Sequence, residues 1–295
     1  MRFILTADWH LRATPPRCRI DKDWIETQRK ALEQVYKYAL GYKCSVFVVG
    51  DIFHSNSDVS FQCIQMVQDL ADKLDKIEQG LFILCGNHDL LYHSSQNIDK
   101  SAIGILLKSN NIYKISDFNY HHVSAPNFDE KAEDKEFLFI HKLVFPSLEA
   151  MPPNVSGGIT AEELLTIYPY SDWIFTGDYH KAFHYNSSNM RHVVNPGCLI
   201  CQATDFKDYT PCVYFINTDE RIVKRLDIDD NKEYIDDSYI LKQDEREKRL
   251  DDFISKVNGT KTMTLDFVEN VENELSTGNY SKEFINEVRG LVEGI

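Results

Sequence analysis

Arg2-Phe3-Ile4-Leu5-Thr6-Ala7-Asp8-Trp9-His10 opens the chain with a short apolar run that ends in two metal-type side chains. A run of this length without polar alternation reads as a strand buried on both faces, as in parallel sheets covered by helices. The same phrase returns four more times. Ser45–Val49 leads into Gly50-Asp51, and Leu81–Leu84 into Gly86-Asn87-His88-Asp89. Phe137–Ile140 leads into His141, and Trp173–Thr176 into Gly177-Asp178-Tyr179-His180. Five strands (the first spanning Phe3–Ala7) thus each end in Asp, Asn or His. In a layered α/β protein ligands gather at the carboxyl ends of strands, so these residues are expected in one place. Strand alternation predicts that Asp8 and His10, two apart, point to one side, and likewise Asp178 and His180.

Between these runs the pattern turns helical at Trp24–Leu40, Ser60–Ile77, Asp99–Ser109 and Ala161–Tyr168, the last opened by a capping box at Thr160-Ala161-Glu162-Glu163. Further strands are expected at His192–Val194 and Val213–Asn217, and the polar, acidic stretch Pro126–Glu136 reads as a surface loop. Alternating strands and helices give an α/β class. After about Asp229 the character changes. Tyr239–Lys242 and Thr262–Val268 read as strands, and Asp244–Val257 and Ser281–Val292 as charged helices. The expected division is a large domain over 1–228 and a small acidic α+β appendix over 229–295.

Composition narrows the class. No apolar run reaches the roughly 18–20 residues that span a bilayer, and the opening strand is too short and too soon followed by charge for a signal peptide. The seven cysteines are scattered, several in strand-like runs, which suits reduced thiols in the cytoplasm. Cys198-Leu199-Ile200-Cys201 has no second pair to complete a zinc site and reads as core packing. The net charge is −14, of which −8 falls from Asp219 onward. An acidic chain gains no general electrostatic help with nucleic acid, so any such substrate needs metals and a partner to attract it.

Carboxylate, imidazole and amide ligands together suit borderline divalent metals, and seven or eight are too many for one ion. They suit a pair of ions that clamps both oxygens of a displacement at phosphorus. Asp-x-His, Gly-Asp, Gly-Asn-His-Asp, a lone His and Gly-x-x-His, in that order, resemble the calcineurin-like metallophosphoesterases, whose fold is a four-layer αββα sandwich. The resemblance implies that Asp8, His10, Asp51 and His180 hold one metal. It implies that Asp51, Asn87, His141 and Asp178 hold the other, with Asp51 bridging. His88 would be no ligand, but would stabilise charge on the phosphorane or protonate the leaving oxygen. Where the family usually has His, this chain has Asp178, an acidic ligand that favours Mn²⁺ or Mg²⁺.

Within that superfamily, Ala7-Asp8-Trp9-His10-Leu11, Gly50-Asp51-Ile52-Phe53-His54 and Asn195-Pro196-Gly197-Cys198 look like the SbcD-type DNA nucleases, over roughly Met1 to Asn217. The resemblance implies a DNA exo/endonuclease subunit that works with an SbcC-type SMC-like ATPase in recombination or repair. It implies a catalytic influence for His54 near the DNA path and a homodimer, for which the helices at Ser60–Ile77 and Asp99–Ser109 are candidates. The appendix stands where that family carries a capping domain, and the compact form fits phage-encoded members. Two other readings stay open: a nucleotide phosphodiesterase or phosphoprotein phosphatase, and a scaffold that keeps the fold without catalysis. His93, His121, His122, His184 and His192 fit no slot in the pattern and read as structural or surface residues, and Tyr179 is expected to point into the core.

Overall fold

Phe3 and Leu5 of β1 (Arg2–Thr6) belong to one buried apolar cluster, and Ile4 between them belongs to another. This alternation is the plan of the fold, because a strand covered on both faces must supply two cores at once. In the computed structural model, residues 1–236 are described apart from 58, 119–121, 154, 156 and 231, followed by 238 and by 271–292 apart from 273, 277 and 279. The chain divides into two compact units, Met1–Asp236 and Asp237–Ile295.

The first unit holds two main sheets. After β1 the chain runs through α1 (Trp24–Tyr42), β2 (Ser45–Val49), α2 (Phe61–Asp75), β3 (Leu81–Leu84), α3 (Ala102–Leu106) and β4 (Ile112–Lys114). Then come β5 (Val123–Ser124), β6 (Phe137–His141), β7 (Val144–Phe145), β8 (Ile159–Thr160), α4 (Ala161–Ile167) and β9 (Trp173–Gly177). β10 (Phe183–Asn186), β11 (His192–Asn195), β12 (Cys212–Asn217) and β13 (Ile222–Asp227) complete it. One sheet has the order β13-β12-β1-β2-β3-β4 and the other β10-β11-β9-β6-β5. β1 through β4 run parallel, as do β5, β6, β9 and β11, so the carboxyl ends of the ligand-bearing strands share an edge within each sheet.

The sheets face each other across an aromatic core. The rings of Phe3 and Phe47 lie 4.5 Å apart and those of Phe139 and Phe175 4.6 Å apart. Each fully buried Phe contributes about 2–3 kcal/mol, which makes this seam a main anchor between the sheets. α1, α2 and α3 cover the outer face of the first sheet, and α4 that of the second. The order is therefore αββα, as expected. Asp23 and Ser60 cap α1 and α2, and Thr160 with Glu163 forms the expected capping box on α4.

The helix expected over Asp99–Ser109 is shorter, because Ser101 caps Gly104 N and starts the α-helix only at Ala102. In the second unit, α5 (Lys282–Val292) matches the last expected helix, and Val271, Leu275 and Val288 form a small apolar cluster. The elements expected at Tyr239–Lys242, Asp244–Val257 and Thr262–Val268 lie outside the described residues, as does His121. No described helix is long and apolar enough to cross a membrane.

Candidate metal centre

Strand alternation does not aim the ligand side chains. β1 ends at Thr6 and β9 at Gly177, and Asp8, His10, Asp51 and Asp178 all stand in left-handed backbone with φ of 49°, 44°, 53° and 79°. Residues with a Cβ adopt this region at a cost of order 1–3 kcal/mol each, and such strain gathers at functional sites. Backbone bonds between neighbouring loops hold it in place. Asp8 N donates to Gly50 O at 3.1 Å, His10 N to Asp51 O at 3.0 Å and His54 N to Leu11 O at 3.1 Å. The loops after β1 and β2 thus run on side by side beyond the sheet.

The expected residues converge. Asp8, His10 and His180 each bring a ligand atom within 4.8 Å of the others, as do Asp8, Asp51 and His141. His10, Asp51 and His88 form a third such group. His10 Nε2 lies 3.1 Å from His180 Nε2 and 3.7 Å from Asp51 Oδ2. His141 Nε2 lies 3.3 Å from Asp51 Oδ2 and 3.1 Å from Asn87 Oδ1, which brings Asn87 to the same point. Asp51 stands between the two sets. Asp178 belongs to none of the three groups. Its backbone N–H donates to both Asp8 oxygens, at 3.0 and 3.1 Å, and its side chain borders a cavity shared with His141.

His141 shows how a ligand atom is oriented. Its Nδ1 donates to Val49 O at 2.9 Å, which turns Nε2 toward Asp51 and Asn87. A backbone acceptor that fixes the tautomer in this way is the usual support of a metal-bound imidazole. Gly50, at φ +85°, makes the room, since a Cβ there would sit 2.1 Å from His141 Nδ1. Gly86 does the same for Asp51, whose Oδ1 would lie 2.1 Å from its Cβ.

His88 is held by two bonds: its backbone N donates to Asp51 Oδ1 at 3.0 Å and its Nδ1 to His54 O at 2.7 Å. Its Nε2 is left for a cavity of about 200 Å³ walled by His10, Arg12, His54, His180 and Phe206. His54 is therefore part of the site through both its carbonyl and its ring. Arg12 Nη1 donates to His54 Nε2 at 3.0 Å, so that nitrogen is an acceptor. Burial, and then the Arg12 charge, push the His54 pKa down and keep the ring neutral.

The electrostatics call for a cation. Burial pushes the Asp8 carboxyl well above its usual range, and Asp51 and Asp178 add to it against the pull of His141. Burial also raises Asp178. For Asp51, burial raises the pKa but the His141, His10 and His88 rings outweigh it, and the group stays ionised. Burial would lower His141, yet Asp51, Asp8 and Asp178 push it up to about 10. His10 and His180 are lowered by burial and stay neutral. Two buried carboxylates, Asp8 and Asp51, with the half-buried Asp178 and one imidazolium leave negative charge that only further protons or a metal cation can offset. Neutral imidazoles, carboxylates and an amide oxygen are the donor set of a divalent metal, and His10 Nδ1 is a buried nitrogen without a partner. The residues fit such ions.

Residue patterns missed part of the arrangement. Asp89, adjacent to His88, is fully buried and accepts from Ile52 N at 3.2 Å, Phe53 N at 3.0 Å and Gly86 N at 3.0 Å. It ties together the loops after β2 and β3, and an Asp five residues past a strand gives no hint of that in one dimension. Tyr179 packs its ring 4.9 Å from Phe145, toward the apolar side as expected. Cys198 and Cys201 are buried, and no disulfide joins any of the seven cysteines.

No curated protein matches the chain. Among solved structures, a dimetal phosphatase from Danio rerio aligns at TM-score 0.40 and 10% identity over 73% of this chain and 92% of its own. Vacuolar protein sorting 29 from Cryptosporidium parvum aligns at 0.33 and 15% over 77% and 97%, respectively. The nuclease MPE from Pseudomonas putida aligns at 0.33 and 13% over 76% and 87%. The family comparison is of another order, because it matches residues 1–182, well over half of the chain, and with the strand-end residues assembled as above it shows that the protein belongs to the calcineurin-like phosphoesterase family.

Proposed function

We propose that this phosphoesterase is a two-metal DNA nuclease of the SbcD type, cutting phosphodiester bonds as exo- or endonuclease. The observation that carries the nuclease reading is His54, the end of Gly50-Asp51-Ile52-Phe53-His54. Its carbonyl accepts from His88 and its ring borders the cavity that His88 faces. A residue so placed can act on the path of a chain-like substrate and on the acid at once.

Asp8, His10, Asp51 and His180 would hold one divalent ion, and Asp51, Asn87, His141 and Asp178 the other. Mn²⁺ suits the mixed donors and the extra carboxylate best, with Mg²⁺ as substitute. When bound, the ions supply Lewis acidity toward the phosphoryl group and lower the pKa of water. The chain's own part is proton placement. With Nδ1 committed to the His54 carbonyl, His88 offers Nε2 to hold a proton or give it to the leaving oxygen. Asp51, accepting from His88 N, fixes the distance between acid and metal ligands. The Arg12 guanidinium keeps His54 from competing for that proton.

The net charge of −14 disfavours unaided DNA binding, which supports an SbcC-type SMC-like ATPase as the source of a basic surface. In this reading the chain is a cytoplasmic homodimer, and residues beyond about 229 cap the DNA or dock the ATPase. The test is hydrolysis of a labelled linear duplex with Mn²⁺, Mg²⁺ or chelator, by wild type and His88→Ala, beside bis-p-nitrophenyl and p-nitrophenyl phosphate. Mn²⁺-dependent DNA degradation, lowered about 10²–10⁴-fold in the variant with metal content unchanged, is the expected result. Monoester hydrolysis with intact DNA would replace the nuclease with a phosphatase, to which the acidic charge is no obstacle. Metal-bound protein that stays inert even with the ATPase added would leave the catalytically silent scaffold.

A further inference from the structure

The stretch Pro126–Glu136 reads in sequence as an ordinary polar loop, but it walls a cavity of about 440 Å³ together with His141, Lys142 and Asp178. The turn at its start is anchored twice. The Glu130 carboxylate accepts from Asn127 N and Asn127 Nδ2, both at 3.0 Å, and Glu130 N donates to Asn127 O at 2.9 Å. Asp129 Oδ2 accepts from Ser95 N at 3.0 Å and Ser95 Oγ at 3.2 Å. Phe128 sits between these anchors with its side chain outward, 41% exposed, and its ring centre 6.3 Å from that of the candidate ligand His141.

Leaving a Phe in water forfeits its burial energy, so an aromatic ring presented on a fixed turn at the mouth of a site is a ready stacking surface. The cations nearby match. Lys131 and Lys142 line the same cavity, and among the described residues neither is ion-paired. An aromatic face flanked by ammonium groups is the chemistry that receives a nucleotide, with its base on the ring and its phosphate on the amines. Glu130 and Asp129 do not oppose this strongly, since their bonded oxygens are turned to Asn127 and Ser95.

We propose that this cavity is a nucleotide subsite, in which Phe128 stacks on the base next to the scissile phosphate and Lys131 and Lys142 contact the phosphate beyond it. The inference rests on the nuclease reading for its substrate class. It makes Phe128 a binding residue for bases of any identity, because every base has a face to stack.

The test uses the full chain carrying His88→Ala, loaded with Mn²⁺, so that the probe stays intact. Fluorescence anisotropy compares a labelled thymidylate tetramer with an abasic tetramer of the same phosphates. The base-bearing strand should bind at least about tenfold tighter. Adding Phe128→Ala should abolish that difference by weakening only the base-bearing strand, and Phe128→Trp should restore it. Lys142→Gln should weaken both strands by a similar factor. Equal binding of the two strands by the parent, or equal weakening of both by Phe128→Ala, would overturn the subsite. DNA hydrolysis by the wild-type chain is scored separately. Intact DNA with a Phe128-dependent base effect would sink the nuclease reading and keep the subsite, and hydrolysis without a base effect would sink the subsite alone.

Discussion

His192, outside the metal centre, stacks on Trp173 with ring centres 4.0 Å apart and hydrogen-bonds His184 Nε2 through Nδ1 at 2.9 Å. Its Nε2 is buried without a partner. Burial, followed by His184 and Arg221, pushes its pKa down to about 4, against a weak opposing pull from Asp172. The unfolded chain has the ordinary value of about 6.5, so between these values it binds the proton that the folded state refuses. The contribution of His192 to stability is therefore complete above about pH 6.5 and is lost as the pH drops toward 4. His10, His54, His180 and His184 are lowered too and share this trend. His192→Phe keeps a ring on Trp173 and removes one titration, so its urea midpoint should fall less than that of wild type between pH 7 and pH 4. Parallel falls in the two proteins would show that His192 does not titrate in that window.

The loops after β2 and β3 act as one piece because Asp89 receives three of their backbone N–H groups. Asp89→Ala leaves those donors buried and unpaired, at about 1–3 kcal/mol each. It should lower stability by about 3 kcal/mol or more and weaken metal affinity in step, while Asp89→Asn, which keeps one acceptor oxygen, should lose less. Calorimetry of metal binding beside urea unfolding checks both. Strands buried on both faces, such as Ser45–Val49 and Leu81–Leu84, match their apolar runs to the residue, because nothing polar interrupts them. β10, with the burial pattern of Phe183–Asn186, and the largely exposed β13 escaped notice, since strands near or at a sheet edge carry polar side chains. The ligands were legible as strand-end residues, but their aim was not. It comes from left-handed turns and loop-to-loop hydrogen bonds, which leave little trace in periodicity. Phe128 was illegible for a related reason, because its role depends on anchors at Ser95 and Glu130 that only the folded chain brings together.

Across the whole molecule, charge sets what the chain can do alone. With a net charge of −14 and only Lys131 and Lys142 proposed to meet phosphates, the logarithm of DNA affinity should fall with the logarithm of salt at a slope no steeper than about −2. Anisotropy titrations at several salt concentrations measure this, and addition of a basic ATPase partner should steepen it. A slope near −6 for the chain alone would reveal a phosphate-binding surface that the described residues do not account for. The folded centre also binds metal that the unfolded chain does not hold, so Mn²⁺ should raise the melting temperature and chelator should reverse the rise. The left-handed backbone at Asp8, His10, Asp51 and Asp178 has a consequence for the protein's history. Asp178→Gly would relax one strained turn and remove one crowded, half-buried carboxylate, so the metal-free variant should melt above metal-free wild type, by about 1 kcal/mol in stability. Drift therefore runs downhill toward sturdier, inactive descendants, and the acidic and imidazole residues persist in these turns only while selection for turnover outweighs selection for stability.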